Sequence, residues 1–208
     1  MAVTKVLVVD YGMGNICSVV NAFRYLGVDP VVSHESHEIS KADSLILPGV
    51  GSFFKAMKTL RDTGIEQAIL ESVIGKGRKI LGICLGMQLL GSHGCEDGDI
   101  PGLGIIPSQV QRFTPLEVGP KKVPHIGFNE VLSRQDSLLF YGLPRTSDFY
   151  FVHSYRMLAD NLHGKAAICN YGVDFLAAYE VDNVYATQFH PEKSQTNGLI
   201  LIRNFLRQ

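Results

Sequence analysis

Lys79-Ile80-Leu81-Gly82-Ile83-Cys84-Leu85-Gly86-Met87-Gln88-Leu89-Leu90 is the stretch on which the reading of this chain turns. Lys79 to Ile83 is a short apolar run with the length and composition of a buried strand, and Leu85 to Leu90 opens a helix. The cysteine between them has a glycine two residues away on either side, the spacing of a nucleophile elbow. Such a turn lifts the side chain off the sheet into a cleft, and the glycines let neighbouring backbone come close. A helix N-terminus also favours a thiolate, because backbone N–H groups and the helix dipole point toward it. The Leu85 N–H then faces any oxyanion formed on a carbonyl that Cys84 attacks. The plain alternative is a structural cysteine filling a strand end. A base is needed to decide.

Upstream, strand and helix alternate. Val6 to Val9 reads as a strand, followed by the turn Tyr11-Gly12-Met13-Gly14. Asn15 then stands where it can cap a helix that carries Ile16, Val19, Val20, Phe23 and Leu26 on one face and closes at Gly27. Val31 to Ser33 and Leu45 to Leu47 read as further strands. Ser52 is placed to cap a helix with Phe53, Met57 and Leu60 inward, and Ile65, Ala68, Ile69 and Val73 mark another. This alternation predicts an α/β fold with a largely parallel sheet and helices on both faces. From Gly94 to Pro124 glycine and proline thicken. Short β-rich runs follow at Phe149 to Val152, Ala166 to Ile168, Phe175 to Tyr179 and Val184 to Phe189, and they predict antiparallel strands added to the same core. Leu199, Ile202, Phe205 and Leu206 mark a closing helix. With no repeat, linker or low-complexity tract, residues 1–208 read as a single domain.

Bulk properties narrow the class. Of the 208 residues 46% are apolar, which excludes disorder, and the formal charge of −1 lacks the cationic excess of a nucleic-acid binder. The apolar runs are far shorter than the roughly 20 residues a spanning helix needs, and no signal-peptide pattern precedes Val6, so a cytoplasmic protein without a membrane partner is expected. Cys17, Cys84, Cys95 and Cys169 are spaced too widely and irregularly for a zinc site or a disulfide framework. Among the histidines, His34 and His37 lie in a polar run with Glu35 and Glu38 that reads as a solvated loop. His93 and His163 border glycine-rich turns, and His125 and His153 sit in β-rich stretches that could line a cleft. No tight metal-binding cluster is present.

The base is offered by Phe189-His190-Pro191-Glu192, directly after the strand-like Val184 to Gln188. In α/β folds strand ends present catalytic groups. His190 can take the thiol proton and return it to a leaving group, and Glu192 can accept the other imidazole N–H and fix the tautomer. In isolation the same four residues read more readily as a turn histidine beside a solvated glutamate.

Pro48-Gly49-Val50-Gly51-Ser52-Phe53, Gly82-Ile83-Cys84-Leu85-Gly86-Met87-Gln88 and Phe189-His190-Pro191-Glu192, in that order, resemble the class I, triad-type glutamine amidotransferases. Within them the chain is similar to the glutaminase subunits of imidazole glycerol phosphate synthase, of histidine biosynthesis. The narrower likeness is carried by Asp10-Tyr11-Gly12-Met13-Gly14-Asn15, by Pro124-His125-Ile126-Gly127 with Asn129, and by Tyr150-Phe151-Val152-His153-Ser154-Tyr155. It spans nearly the whole chain. One departure stands out: Phe128 occupies a position where that family usually carries Trp, and this chain has no Trp.

The resemblance implies a flavodoxin-like fold and hydrolysis of L-glutamine by Cys84, His190 and Glu192. It also implies an oxyanion site at Gly49, Val50, Gly51 and Leu85, and glutamine held by Gln88 and the backbone around His153, Ser154 and Tyr155. It implies a (β/α)8-barrel cyclase partner that receives the ammonia, faced by Asn15, Phe128, Tyr150 and Lys193, and no cofactor or metal. Two alternatives stay open: a glutaminase subunit of another synthase, and a flavodoxin-like cysteine peptidase, against which Gln88 and Glu192 weigh. Gly12-Met13-Gly14 is not a phosphate loop, since Cys17 stands where its third glycine would be.

Overall fold

The computed structural model describes residues 5–160 and 162–208. β1 (Val6–Val9) shows why the first half folds as it does. Val6 and Val8 enter one core and Leu7 and Val9 the opposite one, so the strand is buried on both faces as a parallel strand must be. α1 (Ile16–Tyr25) covers one face with Val19, Val20 and Phe23. Asn15 occupies its N-cap position, but its side chain makes no cap hydrogen bond. After β2 (Val31–Ser33) the expected loop contains one helical turn, α2 (Ser36–Ile39), with His34 and His37 exposed to solvent beside it. β3 (Ser44–Gly49) is buried throughout. α3 (Phe53–Asp62) starts where Ser52 Oγ accepts the Lys55 N–H at 3.3 Å. α4 (Ile65–Leu70) runs on into a π-type turn at Glu71–Gly75, and with α3 it covers the other face. β4 (Lys79–Cys84) leads directly into α5 (Leu85–Leu89).

The second half begins with the short β5 (His93–Gly94), β6 (Ile100–Pro101) and β7 (Gln109–Arg112), then α6 (Pro115–Val118), capped reciprocally by Thr114 and Glu117. β8 (His125–Leu132), β9 (Thr146–His153), β10 (Tyr155–Met157), β11 (Lys165–Asn170), β12 (Asp174–Val181) and β13 (Val184–Thr187) follow. A 3-10 turn at Pro191–Lys193 then leads to α7 (Gln195–Arg207), which packs Leu201, Ile202 and Phe205 beside α1's core face.

Nine strands form one sheet in the order β2-β1-β3-β4-β13-β12-β11-β8-β9. The first five are mutually parallel; β12, β11, β8 and β9 extend the sheet antiparallel. The expected mixed, largely parallel sheet with antiparallel additions is therefore what forms. The glycine- and proline-rich stretch contributes something the pattern did not show, a second sheet in the order β10-β7-β5-β6. Its strands are too short to announce themselves by alternation. No helix among the described residues is long and apolar enough to cross a membrane.

Candidate active site

β4 lies between β3 and β13, and both neighbours run parallel to it. All three carboxyl ends therefore open at one edge of the sheet, where α/β folds place their chemistry. Register pairs Gly49 with Cys84 on one side and Thr187 with Ile83 on the other. The thiol is thereby bracketed by the Gly49–Gly51 segment and by His190, three residues beyond the end of β13.

Cys84 itself sits at φ 54° and ψ −111°, a left-handed conformation costly for a residue with a Cβ. The elbow is held there by close packing. A Cβ at Gly86 would collide with the Leu47 carbonyl, and one at Gly82 would lie 2.9 Å from the Gly86 oxygen. Both flanking glycines are thus dictated by backbone approach. Leu85 is the first helical residue, so its N–H has no intrahelical acceptor and is free by position for a ligand oxygen.

The base is assembled on the other side. His190 Nδ1 lies 2.8 Å from Glu192 Oε1, with both side chains almost fully buried. A carboxylate only accepts, so Nδ1 carries the proton and Nε2 is left as the base. Nε2 has no hydrogen-bond partner of ordinary geometry among the described residues. Burial opposes protonation of this ring, but negative charge on the Cys84 sulfur and the Glu192 carboxylate outweigh it and raise the imidazole above its ordinary value. Gln188 Nε2 lies 3.7 Å from the Cys84 sulfur, a donor for negative charge there.

A cavity of about 290 Å³ opens over the thiol, at the small end of the range for small-molecule sites. Val50, Gly51, Cys84, Leu85 and Gln88 form one side, and Val152, His153, Ser154 and Tyr155 form the other. Gln88 Nε2 donates to the Tyr155 carbonyl and to Gln188 Oε1, each at 2.9 Å. Glu96 also lines this cavity. Burial raises its carboxyl, partly offset by the Phe53 N–H it accepts at 3.2 Å. A larger cavity of about 650 Å³, rimmed by Asp10, His34, Glu35 and His37, holds none of these groups. No cluster of three or more His, Cys, Asp or Glu side chains suited to a metal ion occurs among the described residues.

Residues 7–208 match the family model described as glutamine amidotransferase class-I. The chain belongs to the class I glutamine amidotransferases. Two relatives narrow its place within them. The imidazole glycerol phosphate synthase subunit HisH of Chlorobaculum tepidum is 46% identical over 201 residues, covering 96% of this chain and 98% of the relative. The subunit of the same name from Geobacter sulfurreducens is 43% identical over 205 residues, covering 97% and 98%. The enzyme is thus a glutamine amidotransferase of the HisH type. A crystal structure of a glutamine amidotransferase superposes with a TM-score of 0.70 at 21% identity, covering 97% of each chain. PurLQS from Thermotoga maritima gives 0.73 at 15%, covering 98% of this chain and 97% of the other. These likenesses show the shared fold.

In this amidotransferase the residues expected at the oxyanion site converge, with one qualification. The Val50 N–H donates to the Met13 carbonyl at 3.1 Å and is not turned into the cavity. The residues expected to face a partner gather beyond the triad. Phe128, half exposed, and Tyr150 meet edge to face at 5.6 Å, and the Lys193 ammonium lies 5.9 Å from the Tyr150 ring. Asn15 immediately precedes α1, which packs beside the Pro191–Lys193 turn. Sequence reasoning missed Glu96, Gln188 and Tyr11. Tyr11 is buried beneath Gly49 and donates to the Pro48 carbonyl at 2.9 Å. Only parallel pairing of β13 with β4 brings Gln188 to the sulfur, so no local signal marks it. Glu96 had one faint signal, as a carboxylate in the turn between β5 and β6, shortly after the nucleophile helix.

Proposed function

We propose that residues 1–208 act as one glutaminase domain that hydrolyses L-glutamine to glutamate and ammonia through a Cys84-His190-Glu192 triad. The observation that carries this reading is the strained Cys84 elbow set between a glycine-rich strand end and a buried His190–Glu192 pair. Glutamine enters the cavity with its α-ammonium toward Glu96 and its carboxamide toward Cys84. The sulfur attacks the amide carbon while the Leu85 N–H and the Gly49–Val50–Gly51 segment receive the oxyanion, each such donor being worth about 3 kcal/mol. His190, protonated by the thiol, gives that proton to the departing nitrogen, and ammonia leaves a glutamyl thioester. Water, deprotonated by the same imidazole, then releases glutamate.

Ammonia freed into neutral water would be protonated and lose its nucleophilicity, so the product has to pass directly to a synthase. We assign that role to a (β/α)8-barrel cyclase docked on Phe128, Tyr150, Lys193 and Asn15, which makes imidazole glycerol phosphate and aminoimidazole carboxamide ribotide. Because the Val50 N–H is bonded to Met13, the free subunit is nearly silent, and the partner turns the Gly49–Val50 peptide inward. Gly49 and Gly51 permit that rotation. Hydrogen exchange at Gly49 to Gly51 is expected to change when partner and its nucleotide bind; unchanged exchange contradicts the switch. The chemistry is tested by glutamate release from the complex. Cys84→Ala should abolish it, and a variant that still supported glutamine-dependent synthesis would refute the triad.

A further inference from the structure

Two buried histidines outside the triad form a one-way hydrogen-bond chain. Register places His125 on β8 directly opposite His153 on β9, and His125 Nδ1 lies 3.1 Å from His153 Nε2. His153 Nδ1 lies 2.8 Å from the Tyr155 carbonyl. A carbonyl can only accept, so His153 carries its proton on Nδ1 and its Nε2 must receive one from His125. His125 Nε2 is then an acceptor, and the Asn129 amide lies 3.4 Å from it. The Tyr155 carbonyl also takes the Gln88 amide, whose other hydrogen goes to Gln188, which in turn touches the Cys84 sulfur. The chain therefore runs from Asn129 through both rings to the wall of the glutamine cavity.

We propose that His125 is a positioning residue for glutamine binding, fixing through His153 the Tyr155 carbonyl on which Gln88 is held. The proposal rests on the glutaminase reading of the cavity. His125 does not line the cavity, and its ring is clamped between Tyr171, with centroids 3.9 Å apart, and Phe151, at 4.7 Å. The chain needs both rings neutral, and their surroundings keep them so. Burial, aided by Lys121, pushes His125 down to about 4. Burial pushes His153 down to about 3, opposed by the Tyr155 carbonyl and reinforced by His125, His190 and Arg156.

Three variants separate positioning from bulk stability when assayed for glutamate release in complex with the barrel partner. His125→Leu removes the donor, His125→Gln carries its amide at the Nε2 position, and His125→Asn carries one at the Nδ1 position. Leu and Gln are expected to raise the KM for glutamine about tenfold with kcat little changed, the loss expected for one buried hydrogen bond. Asn is expected to stay near the wild-type KM. If Leu does not fold, the contrast between Asn and Gln carries the test. Equal KM for Gln and wild type, a fall in kcat matching that in kcat/KM, or Asn no better than Gln would overturn the proposal. A wild-type complex that releases no glutamate would instead refute the glutaminase reading.

Discussion

The two arms that flank Cys84 are built differently. On the β13 side everything is fixed. The His190 N–H donates to the Tyr150 carbonyl at 2.9 Å, its own carbonyl takes the Ser194 hydroxyl at 2.6 Å, and its ring is bonded to a buried carboxylate. On the β3 side the chain leaves the sheet through Gly49, Val50 and Gly51, with Val50 42% exposed, Gly51 at φ 102° and the Val50 N–H turned to Met13. On the proposed mechanism the acid–base pair is thus assembled before any substrate arrives, whereas the Val50 N–H is turned away from the thiol. Control by a partner is cheapest at the arm that few contacts hold.

The contrast can be broken from the fixed side first. Glu192→Gln should leave the fold intact yet lower kcat by about 10³–10⁴-fold, since the imidazole loses both its orientation and the charge that supports its protonated form. Steady-state glutamate release with partner bound measures this, and a loss under tenfold would mean that Glu192 is merely structural. On the β3 side, Val50→Pro removes the N–H in either peptide orientation and should cost about 10²–10³-fold in kcat. Circular dichroism should be little altered, because Val50 lies exposed just beyond β3 and the one backbone bond lost is that to the Met13 carbonyl. Full activity would place the oxyanion elsewhere.

The histidine pair behind the cavity wall is sensitive to acid. His125 and His153 are held at about 4 and about 3, below their ordinary value near 6.5. As pH falls below 6.5 the unfolded chain takes up protons that the folded one refuses. The stability present above pH 6.5 is therefore lost progressively toward pH 4, by up to about 1.4 kcal/mol per pH unit for each ring. Denaturant melts between pH 7 and 5 should show this slope, and it should shrink in His125→Asn. The smallest effect concerns docking: Phe128→Ala should weaken barrel binding about tenfold, as for one aromatic contact at an interface, in a titration of the two proteins. Unchanged affinity would move the interface away from the Phe128–Tyr150 pair.

Much of this was legible in the sequence, for physical reasons. β1, β4 and β13 are apolar on both faces, and the elbow glycines are demanded by backbone contacts within a few residues or between neighbouring strands. Such features leave local marks. The second sheet does not, because β5 and β6 are two residues long and one contains proline. Asn15 has the residue type of a cap without the bond, since a preference describes what a side chain can do and packing decides whether it does. The His125–His153 pair joins positions 28 residues apart through strand register alone, which no spacing rule reveals.

Quenching the partner-bound complex during turnover and mapping the covalent glutamyl adduct by peptide mass spectrometry addresses the chemistry without an intermediary. The adduct is expected on the peptide bearing Cys84 and on neither exposed thiol, Cys17 or Cys95. Glutamate release with the label on another cysteine, or undiminished in Cys84→Ala, would contradict it.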